Sequence, residues 1–132
     1  MFELKKITKQ YGQTTVLHET TLTVNDGEFF VLVGASGSGK ITLLKLLNRL
    51  IEPTSGTILR NGNPLHDLNL RSLRLDTGYV LQQIALFPNL TVGENIALVP
   101  SMKHIDKNEI RRRSHLWLEK TGLDPLQSHG LI

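Results

Sequence analysis

The residues best suited to chemistry lie in a glycine-rich stretch, VLVGASGSGKITLLKLL, at positions 31–47. Its spacing, G-x-x-G-x-G-K, is formed by Gly34, Gly37, Gly39 and Lys40. Glycines let a backbone turn its N–H groups inward around a phosphate, and a lysine supplies a cation for the outer phosphates. The stretch follows a predicted strand and opens a predicted helix, whose N-terminus also favours anions. The pattern therefore predicts a loop that binds nucleotide phosphates, in preference to a flexible Gly/Ser turn with an incidental lysine.

Position 41 departs from the usual pattern of such loops, which have Ser or Thr after the lysine. A hydroxyl there coordinates Mg²⁺, and Ile41 has no oxygen. Thr42 has a hydroxyl, but it lies about 100° further around the helix, where it can touch a phosphate and is poorly aimed at the metal. Either water fills the vacant coordination position, or the loop binds nucleotide and positions Mg²⁺ badly. We expect the second, because an aliphatic branch beside a hydrated cation costs solvation.

The elements that must position this loop are read from hydrophobic patterns. FELKKIT and TTVLHETTLTV alternate like strands, with a turn at residues 11–13. Residues 29–33 form a continuous apolar run after a hairpin-type turn at residues 25–27, as for a strand buried on both faces. The leucines from Leu43 to Leu50 predict a helix that ends before Pro53.

Beyond that helix, TILRNGNPL predicts two short strands, residues 68–75 a brief helix, and TGYVLQQ another buried strand. Two capping-box patterns, Thr91 with Glu94 and Asp106 with Glu109, predict helix starts. A glycine at position 122 is a predicted helix stop. Strands mixed with crossover helices predict an α/β domain preceded by an antiparallel β piece.

Bulk properties exclude several classes of protein. The 132 residues fit one domain or a piece of a larger one, and the net charge of +3 is too mild to indicate nucleic-acid binding. There is no cysteine, which excludes disulfides and thiolate metal sites. MFELKKITKQ lacks the apolar core of a signal peptide, and no stretch reaches the ~20 apolar residues that cross a bilayer. We expect a soluble cytosolic protein that reaches a membrane only through a partner.

Taken in order, the motifs resemble the N-terminal half of the ATP-binding subunit of an ABC transporter, and the resemblance runs through essentially the whole chain. Tyr11, in ITKQYGQTTVL, matches the aromatic residue that stacks on adenine in that family. GASGSGK matches the Walker A loop. GYVLQQIALFPNLTVGENI matches the segment around the Q-loop glutamine, which falls on Gln82.

The resemblance implies an α/β P-loop NTPase fold of the ABC type: an antiparallel β piece, the Walker A strand, loop and helix, the Q-loop and the start of a helical subdomain. It implies ATP and Mg²⁺ as cofactors, with Gln82 contacting Mg²⁺ and the attacking water. Gln82 is then the one metal-contacting residue, because Ile41 replaces the usual hydroxyl ligand. The implied nucleotide-binding residues are Tyr11, Gly34, Ser36, Gly37, Ser38, Gly39, Lys40, Ile41, Thr42 and Gln82.

Residues 1–132 are expected to form a partial nucleotide-binding domain of this type. The sequence contains no LSGGQ-type signature, no Walker B Asp-Glu pair and no switch histidine. Phosphoryl transfer needs the base and the second clamp that these motifs supply, so this chain alone is expected not to hydrolyse ATP. In this family the other strands of the parallel sheet come largely from the absent half, which leaves residues 29–33 an unpaired flank.

Two further phrases, LNRLIEPTSGTI and ENIALVP, resemble importers of glycine betaine, choline and carnitine. Importers of other small solutes, such as polar amino acids, are the neighbouring possibility. The implied partners are a transmembrane permease, through the Q-loop region, and a second ATP-binding subunit, at the inner face of the cell membrane. A non-hydrolysing remnant that binds nucleotide or a partner is the alternative. A small P-loop kinase or GTPase would explain the loop but neither Tyr11 nor Gln82.

Two other features of the sequence are better explained by ordinary structure than by a binding site. Residues 111–113 are three arginines that spread over most of a helix circumference, while Ile110, Trp117 and Leu118 share a side. We expect a solvated helix face there, not a nucleic-acid patch. His115 and Glu119 are four residues apart, but two residues do not make a metal site, and none is predicted.

Overall fold

The computed structural model describes residues 1–81, 83 and 86–124. The chain divides into two compact units, Met1–Thr77 and Gly78–Ile132. The first contains the glycine-rich loop, and the second contains the capping-box helices. Within the described ranges, no helix is long and apolar enough to cross a membrane.

An antiparallel sheet forms the framework of the first unit. Its strands are β1 (Phe2–Tyr11), β2 (Thr14–Val24), β3 (Ser55–Arg60) and β4 (Asn63–Pro64), in the spatial order β2-β1-β3-β4. The predicted N-terminal strands and the pair of short strands around residues 61–62 are therefore confirmed. Strand β1 is hydrogen-bonded on both sides, to β2 and to β3.

A bulge interrupts the pairing of β1 with β3 between Lys5 and Thr8. Lys6 has a φ of 51° and Gly56, on β3, a φ of 81°. A Cβ at position 56 would lie 2.3 Å from the Lys6 carbonyl oxygen, so only glycine fits. The bulge bends β1 next to Ile7, which is fully buried.

The core of the first unit lies between the sheet and helix α1 (Lys40–Leu47), which begins at the glycine-rich loop. Leu43 and Leu46 of α1 are buried, whereas Leu44 and Leu50 stay exposed, and Asn48 caps the C-terminal end of the helix. Helix α2 (Leu70–Leu75) adds one leucine and confirms the predicted short helix. The buried cluster consists of Leu4, Ile7, Leu17, Leu43, Leu46, Ile58, Leu65 and Leu73.

Two predicted strands are wrong. Residues 29–33 form no strand, and Phe29 and Val33 are 93% and 90% exposed. The turn before them does form, with Glu28 N–H donating to the Asn25 carbonyl at 3.2 Å. Residues 77–81 and 83 form no strand either, and Val80 is 96% exposed. A strand needs a hydrogen-bonding neighbour, and none of the four strands in the described part of the chain pairs with these runs.

The second unit contains helices α3 (Val92–Met102) and α4 (Lys107–Lys120). The predicted capping box of α3 is confirmed: Thr91 Oγ1 accepts from Glu94 N–H at 3.1 Å, and Glu94 Oε2 accepts from Thr91 N–H at 2.8 Å. The Glu94 carboxylate accepts hydrogen bonds from the Thr91 N–H and from the Thr91 hydroxyl, and these two bonds lower the pKa of the Glu94 carboxyl.

The start of α4 follows the sequence pattern only in part. Asp106 Oδ1 accepts from the backbone N–H of Asn108 at 2.9 Å, as an N-cap should. The Glu109 carboxylate does not complete a capping box, because it pairs with Arg112 at 2.8 Å and Arg113 at 2.6 Å. Gly122, with a φ of 74°, follows the end of α4 as predicted.

The exposed face of α4 agrees with the solvated face expected for residues 111–113, which are all exposed. Ile110 and Leu118 are buried, together with Ser114. Trp117, which was expected on the same side, is 58% exposed.

The Glu109 ion pairs predict a pH dependence of α4. The hydrogen bonds from Arg112 and then Arg113 lower the pKa of the Glu109 carboxyl from 4.5 to about 2. Because this pKa is lower in the folded state, the stabilisation is complete above about pH 4.5 and is lost as the pH falls toward 2. Glu109→Gln should therefore lower the thermal midpoint, followed by circular dichroism at 222 nm, at pH 7, and the difference should narrow between pH 4.5 and pH 3.

The matched control is Glu119→Gln, which removes the charge of an exposed glutamate on the same helix. It should change the midpoint less at pH 7. Equal shifts for the two variants, or a Glu109→Gln effect that stays constant down to pH 3, would contradict the assignment.

Candidate functional site

The glycine-rich loop is folded around the ammonium group of Lys40. Lys40 Nζ donates to the carbonyl oxygens of Gly34 and Ala35, both at 2.7 Å, and to Ser38 Oγ at 3.1 Å. The lysine is half-buried and is the first residue of α1. The loop thus curls back on the N-terminal end of the helix, which is the arrangement that places a cation, a helix terminus and loop backbone around one small volume.

Glycine is required at two positions of this loop for different reasons. Gly37 has a φ of 80° with open space around it, so only its conformation matters. Gly39, the residue before α1, has a φ of 87°, and a Cβ there would lie 2.8 Å from the Val16 carbonyl oxygen. The loop is therefore packed directly against the backbone of β2. Left-handed glycines beside a helix N-terminus form the kind of cradle that accepts a phosphate, so these residues fit the expected ligand.

The same contact brings the loop near the end of β1. Val16 precedes Leu17, which pairs in register with Lys9, and Tyr11 pairs with Thr14 across the hairpin turn. Tyr11 is 51% exposed at this end of the sheet. The structure therefore brings two parts of the predicted site, the loop and the aromatic residue, to the same region of the first unit.

Ile41 and Thr42 differ in their surroundings. Ile41 is 59% exposed and lines a cavity of about 720 Å³ with Phe29, Phe30 and Leu44. Thr42 is half-buried. The one serine hydroxyl bonded within the loop, Ser38 Oγ, accepts from Lys40. The loop does not offer Mg²⁺ its usual ligand, because the side chain at position 41, which would supply an oxygen, is a hydrocarbon.

No cluster of three or more histidine, aspartate and glutamate side chains that could hold a metal ion occurs in residues 1–81, 83 and 86–124. Gln82, the predicted Q-loop residue, lies outside the described residues. Its predicted contacts with Mg²⁺ and water stay predictions.

One residue at the site was missed by the sequence analysis. Lys9 Nζ lies 4.9 Å from the centroid of the Tyr11 ring. The two-residue separation of Lys9 and Tyr11 in the sequence could have predicted this contact. Residues two apart in a strand project to the same side, and a lysine can then cover an aromatic ring. The contact between Gly39 and Val16 had no such signal, because it involves only backbone.

The sequence profile described as "ABC transporter" matches residues 17–131, most of the chain. The chain belongs to the ABC transporter family. The glycine-rich loop, including Ile41, lies within the residues of this ABC transporter chain that the profile matches.

Curated relatives agree with the family. The chain is 43% identical over 129 residues to the osmoprotectant import ATP-binding protein OsmV of Salmonella typhimurium, covering 94% of this chain and 34% of OsmV. It is 39% identical over 132 residues to the glutamine transport ATP-binding protein GlnQ of Escherichia coli, covering 98% of this chain and 55% of GlnQ. This ABC transporter chain therefore spans about a third to a half of the length of these relatives.

A solved structure confirms the fold class. The ATP-binding cassette MJ0796, in a dimeric post-hydrolysis state bound to ADP and Pi, matches with a TM-score of 0.84 and 32% sequence identity. The match covers 99% of this ABC transporter chain and 61% of the solved cassette. The expected α/β P-loop fold of the ABC type is thus shown.

The contact between Gly39 and β2 generates a prediction. Gly39→Ala and Gly37→Ala both place a Cβ on a left-handed residue, which costs about 1–2 kcal/mol. Only Gly39→Ala adds an overlap with the Val16 carbonyl, so it should lower the thermal midpoint further than Gly37→Ala. In amide NMR spectra, Gly39→Ala should shift the Leu17 resonance, and Gly37→Ala should leave it in place. Equal destabilisation with no Leu17 shift would show that the loop does not pack on β2.

Proposed function

We propose that this chain is the ATP-binding, energy-coupling part of an ABC importer for osmoprotectants of the glycine betaine, choline and carnitine type. The observation that carries the ATP-binding role is the Walker A loop, which surrounds Lys40 and packs on the sheet near Tyr11. The substrate class is supported by the likeness to OsmV and by the phrases LNRLIEPTSGTI and ENIALVP. The site of action would be the cytoplasmic face of the cell membrane.

Different residues would bind different parts of the nucleotide. Backbone N–H groups of Ser36 to Gly39 and the N-terminus of α1 would hold the β- and γ-phosphates. Lys40 would exchange its carbonyl acceptors for phosphate oxygens as the ligand enters. Tyr11 would stack on the adenine base with its exposed ring, and Thr42 would touch a phosphate. Mg²⁺ supplies charge neutralisation to the family's chemistry, and the hydrocarbon at position 41 should weaken its binding here.

A partner is expected on the permease side of the importer. The proposed contact is the loop that contains Gln82. Leu86, four residues further along, lines an apolar groove of about 510 Å³ between α3 and α4. Trp117, 58% exposed, is part of the same groove. Exposed apolar surface of this kind is typical of protein interfaces, and a second ATP-binding subunit is the other proposed partner.

The second candidate function is a module that binds nucleotide or a partner and does not hydrolyse ATP. Ile41 favours it, because it removes the metal ligand from the loop. The likeness to GlnQ keeps import of a polar amino acid as the alternative for the transported solute.

The role of Ile41 can be tested by ATP titration with and without Mg²⁺. In wild-type chain, Mg²⁺ should change the ATP dissociation constant little, because the loop offers it no oxygen. Ile41→Thr should make Mg²⁺ tighten ATP binding by about ten-fold, corresponding to about 1.4 kcal/mol. Ile41→Val is the matched control, since valine has the shape of threonine without the hydroxyl, and it should behave like the wild type. Strong tightening by Mg²⁺ in the wild type would contradict this view of Ile41.

Turnover is tested by steady-state phosphate release. The chain alone should release no phosphate from ATP above background, and Ile41→Thr should not restore release, because the general base and second clamp are lacking. Lys40→Met should abolish ATP binding and so reports contamination by another ATPase. Release that is present in the wild type and absent in Lys40→Met would establish the first candidate over the second.

A further inference from the structure

The Lys9 side chain covers one face of the Tyr11 ring. Its ammonium nitrogen lies 4.9 Å from the ring centroid, within the range of a cation–π interaction. The ring nevertheless keeps 51% exposure. A planar ligand that stacks on Tyr11 would therefore use the face opposite the lysine.

The position of the Lys9 ammonium is fixed by a second contact. Lys9 Nζ donates to the Glu52 carbonyl oxygen at 2.7 Å, in the turn that follows α1. The neighbouring backbone is tied to the same turn, because Thr54 N–H donates to the Thr8 carbonyl and Gln10 N–H donates to Thr54 Oγ1, both at 2.9 Å. The Glu52 carbonyl thus anchors the lysine ammonium while it lies over the ring.

An anchored cation on one face restricts how the ring can rotate. It also attracts the electron-rich ring face, so the orientation that turns this face toward the ammonium is favoured. An exposed tyrosine at a strand end would otherwise sample several rotamers, and a ligand that stacks on it would have to select one. The contact therefore reduces the ordering that base binding requires.

We propose that Lys9 is a positioning residue for the nucleotide base: it holds the Tyr11 ring in the orientation that stacks on adenine. This inference rests on the proposed function of ATP binding and goes beyond it, because it assigns base affinity to a residue that does not touch the base. The competing role is a direct phosphate contact, since Lys9 pairs with Leu17 and the Walker A loop packs on that part of β2.

Ligands with and without a base separate these roles. Dissociation constants are measured by calorimetry for ATP and for inorganic tripolyphosphate, in EDTA, with the full chain, four single variants and one double variant. Lys9→Met should weaken ATP binding by about two- to five-fold, the range of an exposed cation–π interaction, and leave tripolyphosphate binding unchanged. Lys9→Arg should retain ATP affinity, because a guanidinium also stacks on aromatic rings. Lys5→Met, which removes a lysine of the same strand that pairs with Glu3 at 3.3 Å, is the matched control.

The fourth variant, Tyr11→Ala, should weaken ATP binding by about ten-fold, as expected for loss of a base-stacking aromatic. Adding Lys9→Met to it should then cost nothing more, because the lysine acts through the ring. Unchanged tripolyphosphate affinity also shows that each variant is folded at the loop.

The outcomes separate the positioning role of Lys9 from the proposed function of ATP binding. An equal loss of ATP and tripolyphosphate affinity in Lys9→Met would overturn positioning in favour of phosphate contact. Unchanged ATP affinity in Lys9→Met, or the same loss with and without Tyr11, would overturn it as well, while ATP binding by the wild type would leave the proposed function standing. A wild-type chain that binds neither ligand would overturn both.

Discussion

The whole first unit depends on the two-sided pairing of strand β1. It hydrogen-bonds to β2 on one edge and β3 on the other, and its fully buried side chains, Leu4 and Ile7, share one cluster with Leu43 and Leu46 of α1. Packing of α1 on this strand fixes where the helix begins, and so where the preceding loop must lie. The outer end of the same strand carries the aromatic residue. The hydrophobic effect has no direction of its own, but burial of these side chains fixes where the polar groups of the loop lie, several residues away.

Local patterns predicted most of the elements correctly because their causes are local. Alternation in FELKKIT follows from a two-residue side-chain period, and the bonds between Thr91 and Glu94 span only three residues. The runs at 29–33 and 77–81 were misjudged because strand formation requires a neighbouring strand, which a single segment does not encode. The glycine-rich loop was predicted from its glycine spacing, and the contact of Lys9 with Tyr11 had a local signal in their two-residue separation on β1. The packing of Gly39 on the Val16 backbone had no such signal, because it depends on how the loop lies against β2 in the folded unit.

The apolar surface around residues 29–33 and the substitution at position 41 belong to one region. Ile41 lines the same cavity as Phe29 and Phe30, so it adds hydrocarbon to a face that is already exposed. A residue in this place of the loop ordinarily serves the ligand, and here it contributes to a largely apolar cavity. The change therefore has a packing aspect as well as a chemical one, and both follow from the direction in which the second residue of α1 projects.

The tethered state of Lys40 has a consequence for how anions are discriminated. Its side chain is already immobilised by two carbonyls and a hydroxyl, so the rotamer entropy of a lysine, about 1.5–2 kcal/mol, is lost during folding rather than on arrival of a ligand. An incoming anion must instead displace three existing acceptors. Ions of low charge density, such as chloride, offer too little in exchange, whereas a polyphosphate supplies several charged oxygens at once. The loop should therefore remain closed on itself in the salts of the cell and open only to densely charged ligands.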